Sequence, residues 1–280
     1  KTKMPPDPFM RKQLYSLLRP ARTDRRQVNI IGSNLAIRES SELYRGLKEN
    51  GFFLKDICTC RNFEEYQEMA SARLNIVTHP LGRPAARELK ERLGQEWVYL
   101  PVSYDWDEIG EHWKCLSDLL ELDWDCVWKS LKLWDIRMRE GWSVVIDYTA
   151  SSRPFGMARL LTRYGFRVDR IYADTISPEE EDTIAFLKER CPHILVCPTV
   201  HHKMAVLPRG LCEESGGRVL AIGQKAAYFT GMPHFVNMVE DGGLYGCGGI
   251  LELAGLMQEA AMEEKDTGKL IQVKGWGCFC

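Results

Sequence analysis

The chain has 280 residues, 45% of them apolar and 27% charged, with a formal net charge of −2. That is enough apolar chain for one large α/β domain or two smaller ones, and the near balance of charge gives no footing for nucleic acid or an anionic membrane surface. No stretch approaches the roughly 20 apolar residues of a membrane span, and the opening KTKMPPDPFM lacks the apolar core of a signal peptide,. A cytoplasmic protein is expected, and the start without methionine reads as a piece cut from a longer chain. Ten cysteines (58, 60, 115, 126, 191, 197, 212, 247, 278 and 280) suit free thiols in a reducing compartment better than a disulfide scaffold at this size.

Residues 1–26 read as a linker or arm, with Arg19, Arg22, Arg25 and Arg26 as a solvated basic cluster. QVNIIG (27–32) is the first strand. Leu43 and Leu47 mark a helix over 38–50, closed by Gly51. Residues 52–58 form a second strand; Phe63, Tyr66 and Met69 mark a short helix. LNIVT (74–78) is a buried third strand that delivers His79 to its carboxyl end. Ala85, Leu89 and Leu93 carry the next helix, stopped by Gly94, and WVYLP (97–101) is strand four. Strands alternating with helices at this spacing predict βαβ units and a parallel sheet.

From Trp106 to Met138 apolar residues recur at steps of three and four, which predicts one long helix or two broken near Asp123,. Trp106, Trp113, Trp124, Trp128 and Trp134 lie at helical spacing among acids and read as packing residues rather than a base-stacking set. The alternation then restarts. Strands are predicted at 142–148, 166–172, 193–196, 218–222 and 235–239. The helices between them include one closed by Gly165, one capped by Ser177 with Ile184, Leu187 and Cys191 inward, and one over 224–230. A glycine-rich turn, DGGLYGCGG, leads into a last helix over 249–263. The expected architecture is α/β: two Rossmann-like, doubly wound parallel-sheet lobes joined by a long helical segment. Its parts are an arm (1–26), lobe 1 (27–104), a helical bridge (105–140), lobe 2 (141–263) and a tail (264–280). Ligands of such sheets sit outside the strands' carboxyl ends, so the expected site is the cleft between the lobes.

Several signatures are absent. IIGSNLA carries one glycine rather than GxGxxG, and there is no Walker loop, HExxH, GxSxG or CxxC,. What remains is an order of loops: VNIIG opening a lobe, LNIVTH followed by a helix and WVYLPVSYDWDEI, SSRP after the first strand of the second lobe, and MPHFVNMVEDGGLYGCGGILELA closing it. From about Val28 to about Met262 this resembles the nitrogenase component 1 superfamily: nitrogenase α and β subunits, cofactor-assembly scaffolds, and subunits of dark-operative protochlorophyllide reductase and its relatives. Members have three Rossmann-like domains. This chain resembles two of them and lacks the N-terminal domain with its cluster cysteines.

The resemblance implies a site loop by loop. His79 falls where nitrogenase α subunits keep the cysteine that binds the terminal iron of the metal cofactor. An imidazole there could ligate a metal, hydrogen-bond a tetrapyrrole carboxylate or donate a proton. Asn237 falls at the family's second ligand, a histidine, with His234 three residues away as a substitute should the strand shift. Both changes make dinitrogen reduction the least expected of the family's reactions. Ser33, Asn34 and Ala36 follow the first strand, and Ser151, Ser152 and Arg153 resemble the loop that surrounds an anionic cofactor. Cys58 and Cys60 follow strand two, and with Cys278, Cys280 and Cys247 could hold a metal or cluster. Cys115, Cys126 and Cys191 read as packing residues. The implied cofactor-binding set is Asn34, Cys60, His79, Ser151, Ser152, Arg153 and Asn237, with His79, Cys58 and Cys60 as candidate metal ligands. An iron–sulfur or other metal cluster, or a tetrapyrrole, is the implied cofactor. A paralogous component 1 subunit and an ATP-dependent iron–sulfur reductase are the implied partners. The expected function is that of an oxidoreductase subunit, inactive as this piece alone. The alternatives are a scaffold for cofactor assembly, or a two-lobed glycosyltransferase or binding protein in which Glu240, Asp241 and Arg153 would meet a sugar nucleotide.

Overall fold

A computed structural model of the chain describes residues 4–32, 34–122, 141–210 and 218–271. The chain divides into two compact units. One comprises Lys1–Val102, Asp107–Leu131 and Tyr245–Gly248, the other Ser103–Trp106, Lys132–Leu244 and Gly249–Cys280.

The first unit holds α1 (Pro6–Ser16), β1 (Asp24–Ile31), α2 (Glu42–Glu49), β2 (Phe53–Asp56), α3 (Phe63–Gln67), β3 (Ala72–Val77), α4 (Arg83–Leu93), β4 (Glu96–Tyr99) and most of α5 (Trp106–Leu120). Its four strands are all parallel in the order β2-β1-β3-β4. The winding reverses between β1 and β3, where Ile31 pairs with Val77. The helices are short and marginal on their own; buried side chains hold them. On α2, Leu43 and Leu47 lie one turn apart and are fully buried, worth about 1.5–3 kcal/mol each. The helix begins at Glu42 rather than Arg38, because Ser41 caps it by accepting the Tyr44 N–H. The stretch read as a linker contains α1, whose Tyr15, with Leu18 just beyond, packs against Ala85, Ala86 and Leu89 of α4. Arg19, Arg22, Arg25 and Arg26 are exposed, as expected.

A polar ladder crosses this sheet. Asn29 Nδ2 donates to Asn75 Oδ1 at 2.9 Å and to the Met69 carbonyl at 2.8 Å. Asn75 Nδ2 donates to Gln95 Oε1 at 3.1 Å, and Gln95 Nε2 returns to the Met69 carbonyl at 2.9 Å. All three side chains are buried, so the ladder satisfies amides that would otherwise be costly there.

The second unit holds β5 (Trp142–Asp147), α6 (Pro154–Arg163), β6 (Arg167–Tyr172), α7 (Glu181–Arg190), β7 (Leu195–Cys197), α8 (His202–Val206), β8 (Arg218–Ile222), α9 (Gln224–Thr230), β9 (Phe235–Val236), the greater part of α10 (Gly246–Met262) and α11 (Thr267–Leu270). Its strands are parallel in the order β7-β6-β5-β8-β9, with the winding reversed between β5 and β8. β5 is buried along its whole length, as a central parallel strand must be.

Some expectations need correction. Ser177 does not cap a helix with its side chain; its hydroxyl donates to Glu179, and Pro178–Glu180 is a 3₁₀ turn before α7. The inward residues of α7 are Thr183 and Leu187, with Ile184 half-buried. β9 is two residues long. α10 starts inside the glycine-rich turn at Gly246. In the predicted bridge, α5 ends at Leu120, where Glu121 takes a positive φ of 57° and Ser117 accepts the Leu122 N–H. Trp113 is buried and Trp106 donates to Tyr164 Oη at 3.1 Å, which are packing roles. Trp124, Trp128, Trp134 and Cys126 lie outside the described residues, as do Ser33, Cys212, Cys278 and Cys280. No helix among the described residues is long and apolar enough to cross a membrane.

Candidate functional site

In the first unit, the reversal between β1 and β3 places their exit loops side by side, the usual ligand position of such sheets. Gly32, just after β1, has φ 139° and backs onto His79, just after β3: a Cβ on Gly32 would lie 2.7 Å from the His79 amide nitrogen. The two backbones therefore meet without a side chain between them. His79 caps the 3₁₀ turn Pro80–Gly82, its Nδ1 accepting the Leu81 N–H at 3.2 Å. An acceptor Nδ1 leaves the ring proton of the neutral imidazole on Nε2. Asn34 is exposed in the loop after β1.

Cys58 and Cys60 follow β2, the strand beside β1. Cys58 is exposed, and its N–H donates to Asp56 Oδ1 at 2.9 Å. Cys60 is half-buried against the Tyr15–Leu89 cluster, with Sγ 3.4 Å from the Asp56 carbonyl. Burial pushes its thiol up, so it stays protonated at neutral pH,. Among the described residues no three His, Cys, Asp or Glu side chains converge as a metal site. Cys58, Cys60 and His79 are thus not brought together as a ligand set.

Arg11 lies in the stretch read as a linker, where no pattern marked it. It is 8% exposed. Its Nη1 donates to the Gly32 carbonyl at 2.5 Å, while Nε is buried with no hydrogen-bond partner among the described residues.

In the second unit, the exit of β5 runs through Ser151, Ser152 and Arg153. Asp241, from the glycine-rich turn, is buried at a positive φ of 61° and gathers this loop. It accepts Ser151 Oγ at 2.5 Å, Tyr104 Oη at 3.0 Å and Ser152 Oγ at 2.8 Å. The backbones join as well, Asp241 N–H to the Ala150 carbonyl and Glu240 N–H to that of Thr149, each at 2.8 Å. Tyr104 Oη is pushed well up by burial and by Asp241 beside it. Arg153 is not a surface arginine: it is buried, and its Nη2 donates to the Glu179 carbonyl at 3.2 Å. Beside it Glu180 accepts the Gly156 N–H at 2.7 Å, and burial drives its carboxyl up to about 7. Ser151, Ser152 and Arg153 therefore share one network. Asn237 does not join it; it is exposed, and accepts Gln224 Nε2 at 3.2 Å. His234 is no substitute for it. It sits at the entry of β9, its ring 5.0 Å from that of Trp142 and its Nδ1 2.9 Å from the Ala260 carbonyl.

Two further features went unread in the sequence. At the β5–β8 reversal the Lys225 ammonium is almost wholly buried, donating to Tyr148 Oη and, at 3.1 Å, to Thr199 Oγ1. Thr199 in turn donates to Asp174 at 2.6 Å. In the first unit, Glu42 accepts the Cys247 and Gly248 N–H groups at the start of α10. Burial, and then Glu42, push the Cys247 thiol up to about 12, so it is no thiolate ligand as it stands.

Comparison with known proteins accords with this architecture. The family model described as "Nitrogenase component 1 type Oxidoreductase" matches residues 9–209. Among solved structures, the chain titled "Nitrogenase Cp1 at pH 6.5" superposes with a TM-score of 0.59 at 11% identity, over 91% of this chain and 64% of that one. "Nitrogenase Cp1 at pH 5" gives a TM-score of 0.40 at 14% identity, over 66% of this chain and 43% of that one. Among the curated proteins none matches. This chain thus spans a little under two thirds of the length of the first of those nitrogenase chains. With the family match covering well over half of its residues, the chain belongs to the nitrogenase component 1 type oxidoreductases.

Proposed function

We propose that the chain is a subunit of a component 1-type oxidoreductase whose reducible group docks at the β1–β3 exit of the first unit, through hydrogen bonds rather than metal–protein bonds. One observation carries this reading: His79 stands at the reversal of the sheet with Nδ1 committed to the Leu81 N–H, which puts the proton of the neutral ring on Nε2,. A metal at Nε2 would have to displace that proton or break the turn's cap.

The donors present do not fit a metal cluster bonded to these side chains. Cys60 is a protonated thiol, Cys58 is exposed, and no third ligand joins them among the described residues. No step is assigned to such a cluster. The donors suit a group that brings its own acceptors, and a tetrapyrrole-type substrate with carboxylate arms is the class we assign. In that role His79 orients the ring and can pass a proton to a carbon being reduced. Ser151, Ser152 and Arg153 stay in the proposal as a preformed loop held by Asp241. Electrons would come from an ATP-dependent iron–sulfur reductase, with a paralogous subunit completing the enzyme. Family membership sets aside the sugar-nucleotide alternative.

The test is anaerobic titration of the chain with a metal-free porphyrin dicarboxylate and, separately, with ferrous iron and sulfide. The expected result is a shifted porphyrin band at one equivalent, weakened at least tenfold by His79→Ala, and no iron retained after desalting. Stoichiometric iron and sulfide lost in Cys58→Ser or Cys60→Ser, without porphyrin binding, would overturn it.

A further inference from the structure

The entry end of the first sheet, at the opposite end of β1 from Gly32, holds a cleft of about 530 Å³. Small-molecule sites run from roughly 300 to 1,000 Å³. Phe53 pairs in register with Gln27, and Lys55 with Asn29, so these four side chains share one face of the sheet. The 3₁₀ turn Glu68–Ser71 lies over that face, where Gln27 Nε2 donates to the Glu68 carbonyl and Asn29 Nδ2 to the Met69 carbonyl, each at 2.8 Å. The cleft is bounded by this turn, by Phe53 and Lys55, and by the segment from Arg22 to Arg25.

Its lining offers three kinds of group. Gln27 is 3% exposed, and its Nε2 also donates to Asn29 Oδ1 at 3.1 Å. A backbone carbonyl only accepts, so the bond to Glu68 fixes the amide and leaves Gln27 Oε1 to receive a hydrogen bond. Phe53 is 42% exposed and turns an aromatic surface to solvent. Arg22 and Arg25 are exposed, with no carboxylate within ion-pair distance among the described residues. Two acids face the same cleft. Glu68 is paired with Lys55, and Asp24 accepts the Arg26 N–H on Oδ1 at 2.9 Å. Three cations (Arg22, Arg25 and Lys55) against these two carboxylates leave one positive charge in excess. An inorganic anion would use the guanidinium groups alone, and an uncharged arene only Phe53. A ligand that uses all three carries a flat ring, a hydrogen-bond donor and an oxyanion in one molecule.

We infer that this entry cleft is a binding site for a mononucleotide. The base lies against Phe53, where aromatic stacking favours any base. An amino or ribose hydroxyl group donates to Gln27 Oε1, and the phosphate meets Arg22 and Arg25, whose planar forks suit its oxygens. None of these residues belongs to the β1–β3 exit, so this inference and the proposed function stand or fall separately.

The experiment is calorimetric titration of the chain with AMP, GMP and UMP, and in separate arms with adenosine, inorganic phosphate and a single-stranded oligonucleotide. We expect saturable binding of at least one mononucleotide at one equivalent, with adenosine and phosphate each at least tenfold weaker. Arg22→Gln combined with Arg25→Gln should weaken nucleotide binding at least tenfold, and so should Phe53→Leu, which keeps the apolar volume but loses the flat face. Arg26→Gln, which removes a neighbouring charge outside the cleft, should leave affinity within twofold. Photo-crosslinking of 8-azido-AMP to the unaltered chain, mapped by peptide mass, should mark the peptides that hold Arg22 to Gln27 or Phe53 to Lys55, and this readout survives a variant that does not fold. No saturable mononucleotide binding would overturn the inference, as would phosphate binding as tight as the nucleotide, an equal loss in Arg26→Gln, or a crosslink elsewhere. Tighter binding of the oligonucleotide than of any mononucleotide would overturn it too, in favour of a nucleic-acid surface.

Discussion

Single residues set the geometry of both strand exits, and the tightest case is Gly223 after β8. It has φ 105°, and a Cβ there would overlap the Asp147 carboxylate. That carboxylate is fully buried and accepts the N–H groups of Thr149 and Ala226, tying the β5 exit to the start of α9. Gly223→Ala should therefore cost about 2–4 kcal/mol through strain and a displaced buried charge, read as a lowered urea midpoint. Asp241 makes a sharper case. An amide in its place keeps the shape but turns one acceptor into a donor facing hydroxyls and an N–H. Asp241→Asn should cost about 2–3 kcal/mol, while Asn237→Ala, at an exposed residue outside the network, should stay within about 0.5 kcal/mol. Equal losses in these two variants would mean that the network does not hold the loop. His79 was legible because it ends an apolar strand. Arg11 was not, since a lone arginine in a proline-bounded stretch looks solvated until a fold buries it.

At the scale of elements, periodicity located nearly every strand and helix core but misjudged their ends. Ends depend on caps and pairings that lie off the local pattern. Ser41 moved the start of α2, Glu121 closed α5, and Phe235 and Val236 alone found partners in β8. The polar ladder belongs here too. Asn75 sits in a run that reads as buried strand, and only the neighbouring positions Asn29 and Gln95 explain why an amide is tolerated there. Asn75→Ala would leave the buried Gln95 Oε1 without its donor and take one of the two acceptors of Asn29 Nδ2, at about 1–3 kcal/mol,. The double variant Asn29→Val with Asn75→Val should lose less than the sum of the two single changes, measured by urea unfolding in a double-mutant cycle.

Across the whole molecule the buried carboxylates act in concert. Burial raises Glu42, Asp56 and Asp147, and carries Glu180 to about 7. A carboxyl whose folded pKa exceeds its unfolded value binds its proton more tightly when folded. Its contribution is therefore fully present at low pH and is lost as pH rises through the folded pKa. For Glu180 the window runs from about pH 4.5 to 7, with about 3 kcal/mol at stake. Stability should fall across that window, and Glu180→Gln, which can still accept the Gly156 N–H, should flatten the fall. Urea midpoints at pH 5 and pH 8 for the two proteins check this; an unchanged slope would remove Glu180 as its cause.

The alternation of apolar strands and amphipathic helices was enough by itself to determine an α/β chain with two parallel sheets, because period and burial are local properties written residue by residue. The order of its loops was enough to suggest the family. Tertiary structure alone decided which polar groups meet. It buried Arg11 under Gly32, turned Arg153 inward, gave Asp241 to Ser151, Ser152 and Tyr104, and committed Nδ1 of His79 to its own turn. Those pairings join residues up to 137 positions apart, and charge and hydrogen bonding act through space, a distance that sequence spacing does not encode.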